Sequence, residues 1–400
     1  MQTVENADIM GKKVADQLVE TICRAGIRHI YAVTGDSLNE VNDAVRRAGT
    51  VRWVHVHHEE SGAFAAAAES ELNGIACCAG SSGPGHVHLI NGLYDAHRSN
   101  CPVLAIASTC PSDQFGTGYF QETDPIRLFD DCSGYNQMAV TPAQFARMLP
   151  AAVQHASHRR EVAVVGLPGD VAASPCAESP GASGPLPSHG IYRPLDGELR
   201  QLAEMIGSAE RITVFCGIGA REAHDEVVRL AAMLKAPVAY TFKAKMEVQY
   251  DNPYEIGMTG LLCLPSAYGA MHESDLLLLL GTDFPYDCFL PSECRIAQVD
   301  IRPERIGRRA RVELGLAGDV KETLQALFPM LRECSDRVFL DRQLKIYGAL
   351  CDDMAAVASK RGSAGNIAPE YVATLIDTLA SDSAIFTVDT GMCCVWGARY

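Results

Sequence analysis

The stretch His55–Glu69, HVHHEESGAFAAAAE, decides the fold. It starts in a run with the alternation of a β-strand, Val51–Val56, and continues into an alanine-rich segment typical of a helix, Glu59–Leu72. Glu59 stands at the junction, beside a face of Ala and Phe that would solvate a charge poorly. A carboxylate there is a candidate for a raised pKa and for proton transfer. The alternative is an ordinary helix start, where the helix dipole favours acidic residues.

Short apolar strands and amphipathic helices alternate through the whole first third of the chain. Such alternation is typical of an α/β fold whose parallel sheet is covered by helices on both faces. The predicted strands are His29–Val33, Val51–Val56, Ile75–Ala79, Val103–Ala107 and Val162–Leu167, and the predicted helices are Val14–Arg24, Ser37–Arg47, Glu59–Leu72, His86–Ala96 and Pro142–Ala156.

A segment rich in Pro, Ser, Gly and Ala, residues 172–187, has no periodicity and predicts a domain boundary. A second α/β unit follows, because apolar strand patterns again alternate with helical ones. Its predicted strands are Ile212–Cys216, Val238–Thr241, Leu276–Leu280 and Ile296–Ile301, with helices at Ala220–Leu234 and Val320–Leu327.

The last part of the sequence, residues 363–400, predicts the helix Pro369–Leu379, the strand Ala384–Val388 and half a helix. These elements cannot bury a core of their own, so the sequence looks truncated in mid-domain. We therefore expect five segments: a first domain (1–175), a linker (176–190), a central domain (191–335), a helix-rich connector (336–362) and an incomplete third domain (363–400).

The bulk composition is that of a globular protein, with 48% hydrophobic and 21% charged residues. The net charge of −15 argues against nucleic acid or an anionic membrane surface as the main partner. The longest run of large aliphatic residues, Leu276–Leu280, is far shorter than the ~20 residues of a membrane span. The fifteen cysteines form no C-x-x-C pair and follow a polar N-terminus, so we expect a cytoplasmic protein with buried, inert thiols.

A glycine-rich turn, Gly83-Pro84-Gly85, lies between a predicted strand and a predicted helix. Glycines there let the backbone approach a ligand and leave helix N–H groups free, although an ordinary tight turn is the alternative. Three histidines follow, His86, His88 and His97. A His-x-His pair can bind a metal ion. At a strand–helix junction, however, the two imidazoles would not point at one ion, and no carboxylate partner is evident, so we expect no metal site.

Several stretches together resemble the thiamine-diphosphate (ThDP) enzymes, and most of all the FAD-containing pyruvate oxidases and quinone-dependent pyruvate dehydrogenases. The resemblance extends over essentially all 400 residues. It implies an α/β protein built of a pyrimidine-binding domain, a Rossmann-like central domain and the start of a diphosphate-binding domain. Its most specific parts are the segments 33–39 (VTGDSLN), 55–69, 80–97 (GSSGPGHVHLINGLYDAH), 118–123 (GYFQET), 167–171 (LPGDV), 257–261 (GMTGL) and 281–286 (GTDFPY).

The resemblance implies that Glu59, rather than Glu60, hydrogen-bonds the aminopyrimidine ring of ThDP. It makes His88 a lining residue of the active site. In related enzymes the loop Pro111–Thr123 contacts the acyl substrate or the flavin side of the pocket, so Phe120 would supply an apolar wall and Gln121 a donor to a carboxylate. The full set implied for the ThDP and substrate pocket is Gly35, Asp36, Glu59, Gly83, Pro84, His88, Phe120, Gln121 and Gly391.

The resemblance also implies that the central domain binds FAD. The motif Gly217-x-Gly219 alone is a weak nucleotide signal, because Glu222 replaces its third glycine. Lys243-Ala244-Lys245 stands where relatives often have Arg-Gly-Lys. Lys in place of Arg loses the bidentate geometry and Ala in place of Gly restricts the backbone, so we expect weaker binding of the FAD pyrophosphate. The implied FAD residues are Gly217, Gly219, Lys243, Lys245, Thr259, Gly260, Leu261, Leu262, Thr282, Asp283, Phe284, Pro285, Tyr286 and Asp300.

ThDP enzymes bind Mg²⁺ and diphosphate through a Gly-Asp-Gly motif followed by Asn, and this sequence contains no Gly-Asp-Gly. The turn Asp389-Thr390-Gly391 resembles the start of that domain, so the Mg²⁺ ligands are expected beyond Tyr400. A hard cation needs oxygen ligands, and no substitute cluster is evident.

The resemblance implies ThDP- and FAD-dependent oxidative decarboxylation of a 2-oxo acid, with pyruvate as the expected substrate, acetate and CO2 as products and a quinone as electron acceptor. The alternatives are a carboligase of the acetolactate synthase type and a non-catalytic homologue that lends its half-site to a partner. The 400-residue chain alone is expected to be inactive. It would form a homodimer or homotetramer with shared ThDP sites, in the cytoplasm or peripherally at the inner face of the membrane.

Overall fold

The computed structural model describes residues 11–177, 190–262, 264–363 and 365–400. Most of the predicted linker, residues 178–189, therefore lies outside the described residues, as do Cys263 and Ala364. Contacts divide the chain into two compact units, residues 1–189 and 190–400. Each unit contains one six-stranded parallel sheet with helices around it, which confirms the predicted α/β fold.

The first unit has the strand order β2-β1-β3-β4-β6-β5, with every pair parallel. Its strands are β1 (His29–Ala32), β2 (Arg52–His55), β3 (Ala76–Gly80), β4 (Val103–Thr109), β5 (Tyr135–Met138) and β6 (Val162–Pro168). Its helices are α1 (Val14–Arg24), α2 (Asn39–Ala48), α3 (Glu59–Asn73), α4 (Pro84–Val87), α5 (Ile90–Ser99), α6 (Pro125–Leu128), α7 (Pro142–Arg159) and α8 (Gly169–Ala173).

The second unit has the order β12-β11-β10-β7-β8-β9, again all parallel. Its strands are β7 (Ile212–Cys216), β8 (Val238–Tyr240), β9 (Glu255–Met258), β10 (Leu276–Leu280), β11 (Arg295–Asp300) and β12 (Leu314–Ala317). Its helices are α9 (Asp196–Gly207), α10 (His224–Leu234), α11 (Lys245–Val248), α12 (Pro265–Glu273), α13 (Val320–Leu327), α14 (Val338–Ala358), α15 (Pro369–Leu379) and α16 (Met392–Arg399).

The central strands of the first sheet are buried on both faces because alternate side chains enter two different cores. Cys77 and Ala79 pack with α1, α2 and α7 on one face, whereas Ala76 and Cys78 pack with α3 and α5 on the other. All five residues of β3 and all seven of β4 are buried. This double burial explains why these strands appear in the sequence as continuous apolar runs.

Three sequence predictions about the elements are wrong in detail. The predicted helix His86–Ala96 is two helices, α4 and α5, with His88 and Leu89 between them. The helix predicted from Ala220 begins at His224, after a 3₁₀ turn at Ile218–Ala220. Residues 384–388, all of them described, form no strand, and Ile385 is 90% exposed. A strand needs a neighbour to bond, and this segment has none within the described part of the chain.

The cysteines also differ from the expectation that all are buried. The fourteen described cysteines are free thiols, but Cys288, Cys351 and Cys393 are exposed. Burial raises the pKa of the Cys78 thiol to about 12 and that of Cys132 to about 11, so those two are poor nucleophiles. Within the described ranges, no helix combines the length and the apolar character needed to cross a bilayer.

Candidate active site

Glu59 begins α3 directly after β2, so it lies at the carboxyl edge of the first sheet. Its residue is only 7% exposed. His58 precedes it as the N-cap, and the His58 Nδ1 accepts a hydrogen bond from the Glu60 N–H at 3.3 Å. The alanines that follow pack on the sheet and on α5, where a Cβ on Gly92 would lie 2.5 Å from the Ala63 Cβ. The alanine face is thus explained by close packing of two helices.

The two carboxylate oxygens of Glu59 have different neighbours. Oε2 lies 2.9 Å from the Nδ1 of His88, whose ring N–H donates to it. The His88 ring is stacked on that of His58, with the centroids 4.3 Å apart and the planes at 26°. Oε1 faces the glycine turn, because a Cβ built on Gly85 would lie 3.4 Å from it. The carboxylate is therefore held in one orientation with one oxygen directed at the turn.

The turn between β3 and α4 requires glycine for two separate reasons. Gly83 has φ +67°, a left-handed conformation that side chains rarely adopt, and its added Cβ would lie 2.8 Å from the Gln121 Cβ. Gly80 and Gly85 pack backbone against backbone, since a Cβ on Gly80 would lie 2.7 Å from the Gly85 carbonyl oxygen. Pro84 is the first residue of α4, where its missing N–H costs nothing.

A group of serines, none of which belongs to the pocket predicted from the sequence, joins three loops at this edge. Ser37, after β1, has its Oγ 3.0 Å from the Oγ of Ser81 and accepts from the Ser82 N–H at 2.9 Å. Ser108, on β4, donates to the Ser37 carbonyl at 2.7 Å. Strand order reverses between β1 and β3, the position where open α/β sheets bind ligands. Gly35 packs its α-carbon against Ser81 here.

His86, next to the glycine turn, anchors the loop that carries Phe120 and Gln121. Burial lowers the pKa of His86, so its imidazole is neutral near pH 7. Its Nδ1–H donates to the Ser108 carbonyl at 2.8 Å, and its Nε2 therefore accepts from the Thr123 hydroxyl at 2.5 Å. His86 is thus a structural residue of the core.

The same loop is folded on itself by a carboxylate and is tied to the glycine turn through its main chain. Glu122 accepts hydrogen bonds from the N–H groups of Gly116, Gly118 and Tyr119, and these bonds, that of Gly116 first, lower the pKa of Glu122. The Ser82 hydroxyl donates to the Gln121 carbonyl at 2.9 Å, and Gln121 has φ +61°.

The structure therefore brings most of the predicted pocket of the first unit to one edge. The side chain of Phe120, by contrast, is not enclosed by its own unit, because the residue is 78% exposed. Asp36 is exposed as well, at the start of a 3₁₀ turn. Gly391 belongs to the second unit, where it precedes α16.

The predicted FAD residues of the second unit lie at or after the ends of five of its strands, β7, β8, β9, β10 and β11, and so share the carboxyl edge of that sheet. The strand order reverses between β7 and β10. There the Gly217 N–H donates to the Leu280 carbonyl and the Gly219 N–H to the Gly281 carbonyl, both at 2.9 Å. A Cβ on Gly219 would lie 2.7 Å from the Gly281 α-carbon, so close packing of two loops requires this glycine.

The segments Thr259–Leu262 and Thr282–Tyr286 meet at that edge. Gly260, at φ +108°, is close to the ring of Phe284, since an added Cβ would lie 3.1 Å from it. Phe284 is buried and Tyr286 packs edge-on against it at 5.5 Å. Thr259 and Thr282 are buried, whereas Pro285 is exposed and Leu261 is 69% exposed.

The two carboxylates at this edge, Asp300 and Asp283, have different partners. Asp300, only 5% exposed, accepts from the Arg302 N–H at 2.9 Å, and burial raises its pKa. Asp283 instead forms ion pairs with Arg308 at 2.9 Å and Arg309 at 3.5 Å, so its charge is compensated within the protein.

The two lysines of the predicted pyrophosphate contact also differ. Lys243 is exposed, whereas burial lowers the pKa of Lys245. Lys245 lines a cavity of 420 Å³ together with Tyr240, Tyr347 and Arg399. Leu262, which ends the 259–262 segment, accepts from the Arg399 side chain through its carbonyl at 3.3 Å.

Comparisons with known protein families agree with this geometry. Residues 12–128 match the family described as the thiamine pyrophosphate enzyme N-terminal TPP binding domain, and residues 199–327 match the thiamine pyrophosphate enzyme central domain. The two matched ranges lie one in each compact unit.

Curated relatives point to the same family. An uncharacterized 42.6 kDa protein of Pseudomonas amyloderamosa is 49% identical over 84% of this chain and 85% of its own length. The putative thiamine pyrophosphate-containing protein YdaP of Bacillus subtilis is 32% identical over 98% of this chain and 68% of its own. The pyruvate oxidase of Lactiplantibacillus plantarum is 29% identical over 92% of this chain, which spans 62% of that enzyme. The chain therefore belongs to the family of thiamine-pyrophosphate enzymes.

Proposed function

We propose that the carboxyl edge of the first sheet binds the aminopyrimidine end of ThDP, with Glu59 as the group that hydrogen-bonds a ring nitrogen. The observation that carries this proposal is the asymmetry of the carboxylate: His88 holds Oε2 at 2.9 Å, while Oε1 faces the Gly85 backbone. A buried carboxylate with one oxygen bonded by His88 and the other beside a glycine turn fits a flat ring that must approach closely.

Glu59 would hold or release a proton at its carboxylate, next to the ring nitrogen of a bound aminopyrimidine. His88 keeps the carboxylate in position, and Gly85 places no side chain beside Oε1. When bound, ThDP supplies the electron sink that decarboxylation of a 2-oxo acid needs. Gln121 would orient the substrate carboxylate, and Phe120 would form an apolar wall for its methyl group.

The full reaction we propose is oxidative decarboxylation of pyruvate to acetate and CO2. FAD, held along the carboxyl edge of the second sheet, would receive the two electrons and pass them to a quinone. Support comes from the position of the five predicted FAD segments at that edge, and from Asp300, a buried carboxylate placed as a partner for a ribose or adenine donor. Asp283 is a weaker candidate, because three arginines, Arg305, Arg308 and Arg309, surround it within 4.0 Å.

We propose that the segment beginning at Gly391 contributes to the Mg²⁺–diphosphate contacts. We propose a homodimer or homotetramer in which ThDP sites are shared between subunits, and a cytoplasmic location with peripheral contact to the membrane that holds the quinone.

The experiment that tests the function uses the purified full-length protein with ThDP, Mg²⁺ and pyruvate, and not the 400-residue chain alone, which is expected to be inactive. We expect a yellow protein whose flavin is bleached by pyruvate under anaerobic conditions, with reduction of an added quinone and release of acetate. Acetolactate formed without any electron acceptor would assign carboligation instead. A colourless protein that binds ThDP but reduces no acceptor with pyruvate would contradict the oxidase.

A matched pair of variants separates the site from the fold. Glu59→Gln keeps the shape of the side chain but removes the charge, and should abolish turnover of pyruvate while leaving the flavin spectrum unchanged. Glu60→Gln alters the neighbouring carboxylate, which is bonded by Asn91 at 2.5 Å, and should retain most of the activity.

A further inference from the structure

The imidazoles of His58 and His88 lie next to the carboxylate of Glu59. Each offers a ligand atom, and the three atoms lie within 4.8 Å of one another. The two histidine side chains are 46% and 42% exposed, whereas the Glu59 side chain is 10% exposed. We propose that this cluster binds a divalent transition metal ion, with Zn²⁺ as the preferred ion, when the aminopyrimidine is absent.

The spacing of the cluster fits tetrahedral coordination once the stacked rings of His58 and His88 rotate so that a nitrogen of each ring faces the ion. For metal–ligand bonds of about 2.1 Å, neighbouring corners of a tetrahedron are about 3.4 Å apart. The His88 Nδ1 and the Glu59 Oε2 stand 2.9 Å apart, so the ion replaces the proton that they share and separates them slightly. Two imidazoles and one carboxylate, with water in the fourth position, are a ligand set that suits Zn²⁺.

A carboxylate that could orient His58 lies close to its ring. The Oε2 of Glu60 lies 3.7 Å from the His58 Nδ1, and the amide of Asn91 donates to Glu60 at 2.5 Å. A carboxylate behind an imidazole is the arrangement that orients metal-bound histidines and increases their basicity. In the structure the His58 Nδ1 accepts from the Glu60 N–H, so binding of the ion at Nε2 would move the ring proton to Nδ1, which could then donate to the Glu60 carboxylate.

From the sequence we expect no metal site, because His86, His88 and His97 have no evident carboxylate partner. In the structure, only His88 of these three histidines belongs to the cluster, and His86 and His97 do not. His86 is committed to Ser108 and Thr123 in the core. His58 and Glu59 come instead from the end of β2, and only the fold brings them to His88.

The proposed ion and the aminopyrimidine would use the same carboxylate, so they cannot bind together. Zn²⁺ would therefore be a competitive inhibitor of cofactor binding. This consequence rests on the function proposed above for Glu59, whereas binding of the ion itself does not.

The test uses the purified chain after removal of metals with EDTA and alkylation of its exposed thiols with iodoacetamide. Titration with CoCl2 should give the intense visible bands of tetrahedral Co²⁺ with nitrogen and oxygen ligands, at one ion per chain, and ZnCl2 should remove them. His58→Gln and His88→Gln should each weaken Zn²⁺ binding by at least about tenfold in calorimetry. His57→Gln, an exposed neighbour outside the cluster, is the matched control and should bind as the unaltered chain does.

Circular dichroism establishes that each variant is folded, and if one histidine variant does not fold, the other one decides the outcome. Unchanged Zn²⁺ affinity in a folded His58→Gln or His88→Gln variant, or a pale octahedral Co²⁺ spectrum, would overturn the proposal. Thiamine supplies the separate test of competition. If the ion binds as expected but thiamine does not raise its apparent Kd, the metal site stands and the assignment of Glu59 to the cofactor fails.

Discussion

A single methyl group at Gly85 should separate cofactor binding from stability. Gly85 is the second residue of α4, and its φ is not in the left-handed region. The added Cβ of Gly85→Ala would lie 3.1 Å from the Ser81 Cβ, a contact that needs a shift of a few tenths of an ångström. Because alanine favours the helix by up to about 1 kcal/mol, the two effects offset each other. We expect the free energy of unfolding to change by less than about 1 kcal/mol.

The effect on binding should be much larger. The same methyl group would stand 3.4 Å from Glu59 Oε1, on the side that faces the turn. It would keep the aminopyrimidine ring from that oxygen. A hydrogen bond to a charged group contributes about 1.5–3 kcal/mol, so its loss corresponds to roughly 10- to 100-fold weaker binding of thiamine.

Urea denaturation and calorimetric titration with thiamine measure the two quantities on the same preparation. Gly83→Ala is the contrasting variant, because at φ +67° it should cost about 1–2 kcal/mol of stability from backbone strain, and its Cβ would also meet Gln121. A folded Gly85→Ala variant that binds thiamine as tightly as the unaltered chain would refute the placement of the ring beside Oε1.

Three further predictions concern stability and reactivity. Burial lowers the pKa of His86, so the unfolded chain binds more protons than the native one just below pH 6.5, and the free energy of unfolding should fall as pH drops through that window. Urea titrations at about pH 5 and about pH 7.5 measure this fall, which should be smaller for His86→Gln than for the unaltered chain. Gly92→Ala should destabilise by about 1–3 kcal/mol, because its Cβ would lie 2.9 Å from a backbone carbonyl of α3. Gly348→Ala, in open space on α14, should instead stabilise by up to about 1 kcal/mol in the same denaturation assay. Ellman's reagent should react with the three exposed cysteines of the native protein, and with Cys77 and Cys78 only after unfolding; fast native reaction of the latter pair would contradict their burial.

The inner strands of both sheets could be predicted from the sequence, whereas three of the outer ones could not. β5, β9 and β12 were all missed, and all three are edge strands. All three have only four residues; β5 and β12 are partly exposed, and the mostly buried β9 is interrupted by Gly257, so none has the continuous apolar run of β4 or β10. The segment 384–388 shows the opposite error, because an apolar pattern predicts a strand there but no neighbour pairs with it in the described residues.

Within the candidate site, the residues that a local sequence motif identifies could be predicted, such as Glu59 and the Gly83–Gly85 turn. Contacts between loops could not be predicted. Ser37 and Ser81 are far apart in sequence and meet only because β1 and β3 are neighbours. The stacking of His58 on His88 arises in the same way, from the return of the chain after β3. The serines carry no sequence signal of their own, since serine is common in any loop.

The role of Glu59 can be tested without the diphosphate anchor, by using thiamine or its 4-amino-2-methylpyrimidine fragment as the ligand. Saturation-transfer NMR detects weak binding and identifies which ligand protons touch the protein. We expect transfer to the pyrimidine protons in the unaltered chain and at least about tenfold weaker binding in Glu59→Gln. Equal binding in the two proteins, or contact through the thiazolium ring alone, would contradict the assignment of Glu59 to the aminopyrimidine.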